Sequence, residues 1–401
     1  MGGSELIGKE EKAAVGDVLD RGVLLRYGFD AQRKGIYKVA EFERDFAKYM
    51  GIKYCQAVTS GTTALRTALA ALGVGPGDEV ITTAFTFVAT YEAILETRAI
   101  PIPAEVDKSL NIDPADLEKK ITSKTAAIIP VHMLGVPARM DEIMQIAGKH
   151  KIPVLEDSAQ ATGSSYKGRK TGTIGDMGIY SFDYVKTLTT GEGGMVVTDN
   201  EELYRRAEYF HDHGHIHNPA IPRGDEDRAF PGMNFRMDEM AGAMGVEQLK
   251  KLDYVLKRQR ENKAQIKEGI VPLGFEFRDL PDPSGDGGDC LIFFLPSAAK
   301  VIEFGKSLGQ QGIGTKILPS GMKWHFFDNF PDMMERRTLH REKCPFTCPY
   351  QAKEFVYKKG DLPKSKDLLE RAIALGISVN MDAATITKVI DAVKSAAKEV
   401  R

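Results

Sequence analysis

Lys186 sits in "SFDYVKTLTTGEGG", between an aspartate and a run of glycines. A lysine amine attacks a carbonyl only when uncharged, so a reactive lysine needs surroundings that lower its pKa. Beside glycines alone, a lysine is an ordinary solvated cation, and chemistry must be argued from partners elsewhere in the chain. Candidates exist. "VLEDSAQ" closes an apolar run with Asp157, and Gln160 follows. "SGTTAL" puts Ser60, Gly61 and Thr62 where a helix would begin, and backbone N–H groups with hydroxyls at a helix start seat an anion. Phe87 follows another apolar run.

Imine chemistry with pyridoxal phosphate would use all of these. It needs a carboxylate to keep the pyridine nitrogen protonated, donors for the phosphate, a flat apolar face and a polar group at the ring oxygen. Taken singly, each residue has a plainer reading: Ser-Gly-Thr is a common helix cap, an acid at a strand end caps helices or binds metals, and a phenylalanine packs in a core. Glu156 and Asp157 are neighbours in an extended run, so only one of them can face a site. The joint occurrence at strand-to-helix junctions favours the chemical reading.

Those junctions come from a regular rhythm. "YCQAVTS", "DEVITTA", "IPIPAEV", "AAIIPVHM", "IPVLEDS", "MGIYSFD" and "GGMVVTD" read as strands, with helices such as "GTTALRTALAALG", "TFVATYEAILETR" and "ARMDEIMQIAGKHK" between them. Alternation of this kind predicts an α/β fold with a mostly parallel sheet covered on both faces, its ligands beyond the carboxyl ends of the strands. Two helices are expected before residue 50. After Asn234 a long helix is expected, with Met237, Met240, Met244, Leu249, Leu252, Val255 and Leu256 on one face. Further helices are expected around 298–311, 365–376 and 385–399. The division predicted is 1–254 for the N-terminal segment and large domain, and 255–401 for a smaller α/β domain. With 42% apolar and 27% charged residues and a net charge of −2, the 401-residue chain can bury a large core and carries no basic field for nucleic acid. No apolar run approaches the about 18 residues of a membrane span, and no signal peptide is visible, so a cytoplasmic protein is expected. The four cysteines are too scattered for a disulfide framework; "CPFTCP" reads as a reduced thiol pair in preference to a metal knuckle.

The ordered set "SGTTAL", "AFTFVAT", "VHMLG", "LEDSAQATG", "GDMGIYSF", "VKTLTTGEGGMV", "HDHG" and "NFRMDEMAGAMG" resembles the DegT/DnrJ/EryC1/StrS sugar aminotransferases, fold-type I enzymes dependent on pyridoxal phosphate. The resemblance runs from about Ser60 to Leu252. It implies that Lys186 bonds to the cofactor and shuttles the proton, that Asp157 meets the pyridine nitrogen, and that Gln160 meets the ring oxygen. Phe87 would stack on the ring, and Ser60, Gly61, Thr62 and Ser181 would surround the phosphate. Asn234 would reach the partner subunit's phosphate, making a homodimer with shared sites. Related sugar dehydratases carry histidine in place of the lysine, so Lys186 favours amino transfer.

Departures from the common pattern, "RYGFD", "HDHGHIHNP", "FDYVK" and "KWHFFDNF", resemble those members that aminate a free eight-carbon keto-sugar acid oxidised at C8, with glutamate as donor, for lipopolysaccharide biosynthesis. Such a substrate requires a carboxylate seat, for which Arg26, His215, His217, Arg223 and His325 are candidates. The alternatives are an aminotransferase or a dehydratase acting on a nucleotide-linked 3- or 4-keto-6-deoxysugar. His211, His213, His215 and His217 would share a face if extended, but no acid or cysteine cluster completes a shell and no metal is expected. Trp324 is expected either to line the pocket or to anchor the small domain.

Overall fold

The computed structural model describes residues 2–318, 320–351 and 354–400. Met1 and Arg401, the outer limits of the two expected domains, lie outside that set. Strands β1 (Tyr54–Val58), β2 (Glu79–Thr83), β3 (Ile100–Ala104), β4 (Thr125–Ile129), β5 (Leu155–Asp157), β6 (Met177–Ser181) and β7 (Gly194–Thr198) follow one another along the large domain. They form a three-stranded block, β3-β2-β4, and a four-stranded block, β1-β7-β6-β5. Parallel bridges Ile128–Val154 and Val131–Asp157 join the blocks into one sheet. Its ladders are parallel except those β7 makes with β6 and β1. Every residue of β2, β6 and β7 is buried, as expected of a sheet covered on both faces.

Because only β7 is reversed, β1, β2, β5 and β6 all end on one edge of the sheet. Val58 pairs with Gly194, Gly194 with Ser181, and Ile179 with Asp157. The segments carrying Ser60, Phe87, Asp157 and Lys186 therefore leave the sheet side by side.

Helix α1 (Lys9–Arg21) ends earlier than its apolar spacing suggests, because Gly22 adopts φ 71° and stops it. Helix α2 (Lys38–Met50) buries Val39, Phe42, Phe46 and Met50 on one face. It lies against the long helix α3 (Glu239–Ile270), which continues without a break through the expected domain boundary at 254/255. On α3 the expected stripe holds at Leu249, Leu252, Val255 and Leu256, whereas Met240 and Met244 are only half-buried. Gly242 and Gly245 take that place. A Cβ at Gly242 would fall 2.6 Å from the Val39 nitrogen, and one at Gly245 2.6 Å from the Phe42 ring, so the two helices touch backbone to ring.

The smaller unit is an antiparallel sheet in the order β8 (Glu276–Phe277), β9 (Cys290–Phe294), β11 (Ala372–Gly376), β10 (Thr315–Ile317). Here the expected helix over 365–376 is corrected: helix stops at Glu370, and Ala372–Gly376 is a central strand of this sheet. Phe85, Tyr91 and Met133 of the large sheet's side share one apolar cluster with Ile292, Phe294, Phe326, Phe327 and Phe330, so a single core spans both units. Trp324 does not take part; it is 66% exposed.

Candidate active site

Asp157 ends β5 and is 3% exposed. The Thr90 hydroxyl donates to its Oδ2 (2.9 Å) and the Ala159 N–H to its Oδ1 (3.1 Å). Both donors are neutral. Burial raises the Asp157 pKa, and these bonds and the Lys186 charge offset that only in part. The acid is thus placed to receive a cation. Glu156 points the other way, as strand alternation requires. It is fully buried and bonded to His132 Nε2 (2.8 Å) and to the N–H groups of Gly172, Ile174 and Gly175.

Lys186 follows β6 in a turn closed by its own N–H to the Asp183 carbonyl (3.0 Å) and by Val185 N–H to Asp183 Oδ1 (2.8 Å). Its amine makes no hydrogen bond or ion pair among the described residues. Burial lowers its pKa below 10.5; Asp157, Asp183 and Asp289 act against the shift, and Lys316 acts with it. Burial and a second cation both favour the uncharged form of this half-buried amine, the state imine chemistry needs.

The anion seat is built at the next strand end. Ser60 caps the helix Gly61–Leu72: its hydroxyl accepts the Thr63 N–H (3.1 Å), and Thr63 Oγ1 accepts the Ser60 N–H (2.9 Å). The N–H groups of Gly61 and Thr62 have no acceptor within the helix. A Cβ on Gly61 would stand 2.7 Å from Ser181 Cβ, so glycine is what lets the helix start meet the end of β6 and its Ser181 hydroxyl. Gln160 accepts the Leu134 N–H through Oε1 (3.3 Å). Phe87 is 40% exposed, with its ring 5.1 Å from that of His325. These features fit pyridoxal phosphate: unpaired amides and a hydroxyl for the phosphate, a buried acid lacking a cation, an open aromatic face, and an amine.

His325 arrives from the smaller unit. Thr86 N–H donates to the His325 carbonyl (2.9 Å) and Val88 N–H to that of Trp324 (2.8 Å), which seats the segment on the Phe87 loop. Burial, then the charges of Lys186 and Lys316, lower the His325 pKa to about 4, and its Nδ1 has no partner among the described residues. Lys316, on β10, was not singled out from the sequence, nor were Thr90 and Asp289. Asp289 is a half-buried acid whose pKa burial raises and whose Oδ1 is unpartnered among the described residues. Thr90 could have been sought one helical turn after Phe87; a lysine in a short strand gives no signal.

The other expected carboxylate ligands need correction. Arg26 is 8% exposed, and its Nη2 donates to both Glu43 oxygens at 2.7 and 2.8 Å. His215 bonds to Glu226 (2.8 Å), Arg223 and Arg236 both bond to Asp212 (2.5 Å), and His217 lies 3.4 Å from Asp212 against the Tyr27 ring. Their charges are already answered, and within one chain they gather around Tyr27 and Asp212, not around Lys186. Nor do the histidines share an extended face, since His213 and His217 adopt φ 56° and 53°. Asn234 is exposed beside the same cluster, its Oδ1 accepting the Arg236 N–H (3.4 Å).

A mostly parallel sheet with a lysine, an acid and a helix-start anion seat at its carboxyl edge defines a fold-type I pyridoxal-phosphate enzyme. Residues 5–325 match the model of the DegT/DnrJ/EryC1/StrS aminotransferase family. The spore coat polysaccharide biosynthesis protein SpsC of Bacillus subtilis is 34% identical over 400 residues, 98% of this chain and 96% of its own length. GDP-perosamine synthase of Caulobacter vibrioides is 39% identical over 239 residues, 59% of this chain and 62% of its own length. The solved aminotransferase of Psychrobacter cryohalolentis superposes with a TM-score of 0.82 at 27% identity, covering 98% of both chains. The chain belongs to the DegT/DnrJ/EryC1/StrS aminotransferase family, and it is a pyridoxal-phosphate-dependent sugar aminotransferase.

Proposed function

We propose that the chain aminates a keto-sugar acid, in particular the eight-carbon octulosonate acid oxidised at C8, taking nitrogen from glutamate and yielding the 8-amino sugar for lipopolysaccharide biosynthesis. The observation that carries this reading is the pair of groups beside the Lys186 amine, Lys316 and His325, which come from the smaller unit and pair with no carboxylate among the described residues. A substrate carboxylate entering there meets a cation next to the reacting nitrogen, and both glutamate and a sugar acid carry one.

When bound, pyridoxal phosphate supplies an aldehyde for the amine nitrogen and a ring that holds the electrons released from the α-carbon. Asp157 would keep that ring's nitrogen protonated. Gly61, Thr62, Ser60 and Ser181 would hold the phosphate, Gln160 the ring oxygen, and Phe87 would cover the ring face. Lys186 Nζ would remove the proton from the donor's carbon and return one to the acceptor's carbon, its lowered pKa matching it to both tasks. The exposed Asn234 would complete the site of a partner copy in a cytoplasmic homodimer.

A second reading is favoured by a different feature. A cavity of about 900 Å³ opens beside Thr62 and Thr63 and is lined by Arg66, Arg98 and Arg337 as well as Glu92, Glu96 and Asp332; its three guanidiniums are cations a pyrophosphate could meet. The GDP-perosamine synthase relative supports a nucleotide-linked acceptor in the same way. Steady-state amination of the C8-oxidised octulosonate and of a GDP-linked 4-keto-6-deoxysugar, with glutamate as donor, separates the two. The acid should have the higher kcat/KM, and Lys316→Met should raise its KM about tenfold with kcat little changed, as loss of a ground-state charge contact would. Preference for the GDP-sugar, unaffected by Lys316→Met, would establish the second reading instead.

A further inference from the structure

We propose that residues 2–8 form a strap that positions Lys186; this rests on the reading of Lys186 as the nucleophile. Gly2 and Gly3 are buried. The Gly3 N–H donates to the Lys186 carbonyl (3.2 Å), while the Lys186 N–H is used by the Asp183 turn (3.0 Å). Both sides of the lysine's backbone are therefore pinned, and its side chain projects from a fixed Cα.

Only glycine fits at position 3. A Cβ there would lie 2.9 Å from the Thr189 nitrogen and 3.0 Å from both the Thr187 carbonyl and Gln248 Oε1, and the first two are backbone atoms of the lysine loop itself. The strap is tied down beyond the glycines as well. Lys251 on α3 donates to the Leu6 carbonyl (2.9 Å) and pairs with Glu11 (2.7 Å). Glu11 is 2% exposed and accepts the Gly8 N–H (2.8 Å) and the Gln248 amide (2.7 Å). Ser378, just after β11, donates to Glu5. The strap thus links α3 and the smaller unit to the underside of the catalytic loop. Burial is the largest cause of the lowered Lys186 pKa, so a loosened loop should return the amine toward an ordinary lysine.

Two variants test this. Gly3→Ala puts a Cβ against the Thr187 and Thr189 backbone and so pushes the strap off the lysine loop; Lys251→Met releases the anchor without touching that loop. In cofactor-free protein, the pH dependence of reductive methylation of Lys186, read by peptide mass spectrometry, reports its pKa. The midpoint should lie below 10.5 in the parent and rise toward that value in both variants. In loaded enzyme kcat should fall about tenfold with the donor KM within twofold, and Lys251→Arg should restore both readouts. If Gly3→Ala does not fold, Lys251→Met decides by the same measurements. Parental midpoint and kcat in a variant whose strap amides exchange freely would overturn the proposal. An ordinary midpoint already in the parent would remove the reading of Lys186, and the strap with it.

Discussion

Replacing Asp157 with asparagine should make the cofactor-free protein more stable while destroying its catalytic fitness. The carboxylate is 3% exposed and, among the described residues, accepts hydrogen bonds only from the Thr90 hydroxyl and the Ala159 N–H. Burial raises its pKa above 3.8 despite those bonds and the Lys186 charge. A tenfold change in proton affinity between the folded and unfolded chains is worth about 1.4 kcal/mol. The folded carboxyl keeps its proton to a higher pH than the unfolded one. Stability present below 3.8 is therefore lost as pH rises through the raised value, and is flat beyond it. Asparagine has no such slope, and the Thr90 hydroxyl, itself bonded to Thr86 (2.8 Å), can turn to accept from the new amide. Urea unfolding of cofactor-free parent and Asp157→Asn between about pH 3 and 8 should show the variant gaining about 1–3 kcal/mol at neutral pH, the cost of a buried charge without a charged partner, with the gain growing from pH 3.8 up to the raised value and constant above it. Loading with pyridoxal phosphate should reverse the order, because only the carboxylate gains a charged partner. A variant less stable than the parent at every pH, or a difference that ignores pH, would refute the reasoning.

Two further outcomes follow from buried groups nearby. Glu156→Gln turns an amide NH2 toward His132 Nε2 or the backbone N–H groups that the carboxylate accepts, so it should cost about 1–3 kcal/mol for each donor left without an acceptor, read by urea unfolding. His217 and His325, each lowered to about 4 chiefly by burial, resist protonation in the fold. Stability should therefore fall as pH drops from about 6.5 to 4, and His325→Gln should flatten that slope in urea midpoints while leaving stability at pH 8 within about 1 kcal/mol.

The sequence made the site's large-domain half legible because each chemical residue stands where an apolar run breaks into turn residues, and a parallel sheet gathers such breaks on one edge. Asp157 and Glu156 could even be told apart in principle by alternation. What was not legible depends on partners. Arg26, His215, His217 and Arg223 carry the right chemistry for a carboxylate, but nothing in their spacing reveals Glu43, Glu226 and Asp212 as the groups that occupy them. Lys316 reaches the site only through antiparallel pairing of β10 with β11, a long-range contact invisible to local pattern. The run "LLERAIALGISV" shows the same limit in the fold: short and apolar, it suits helix or strand equally, and its place between β9 and β10 decides for strand from Ala372 onward.

The nucleophilic role of Lys186 is tested most directly by borohydride reduction of the pyridoxal-phosphate-loaded protein, followed by proteolysis and mass spectrometry. A pyridoxyl-phosphate mass confined to the peptide bearing Lys186 is the expected result, with Lys186→Ala left unlabelled. Label on Lys316 or another lysine, with Lys186 unmodified, would contradict the account.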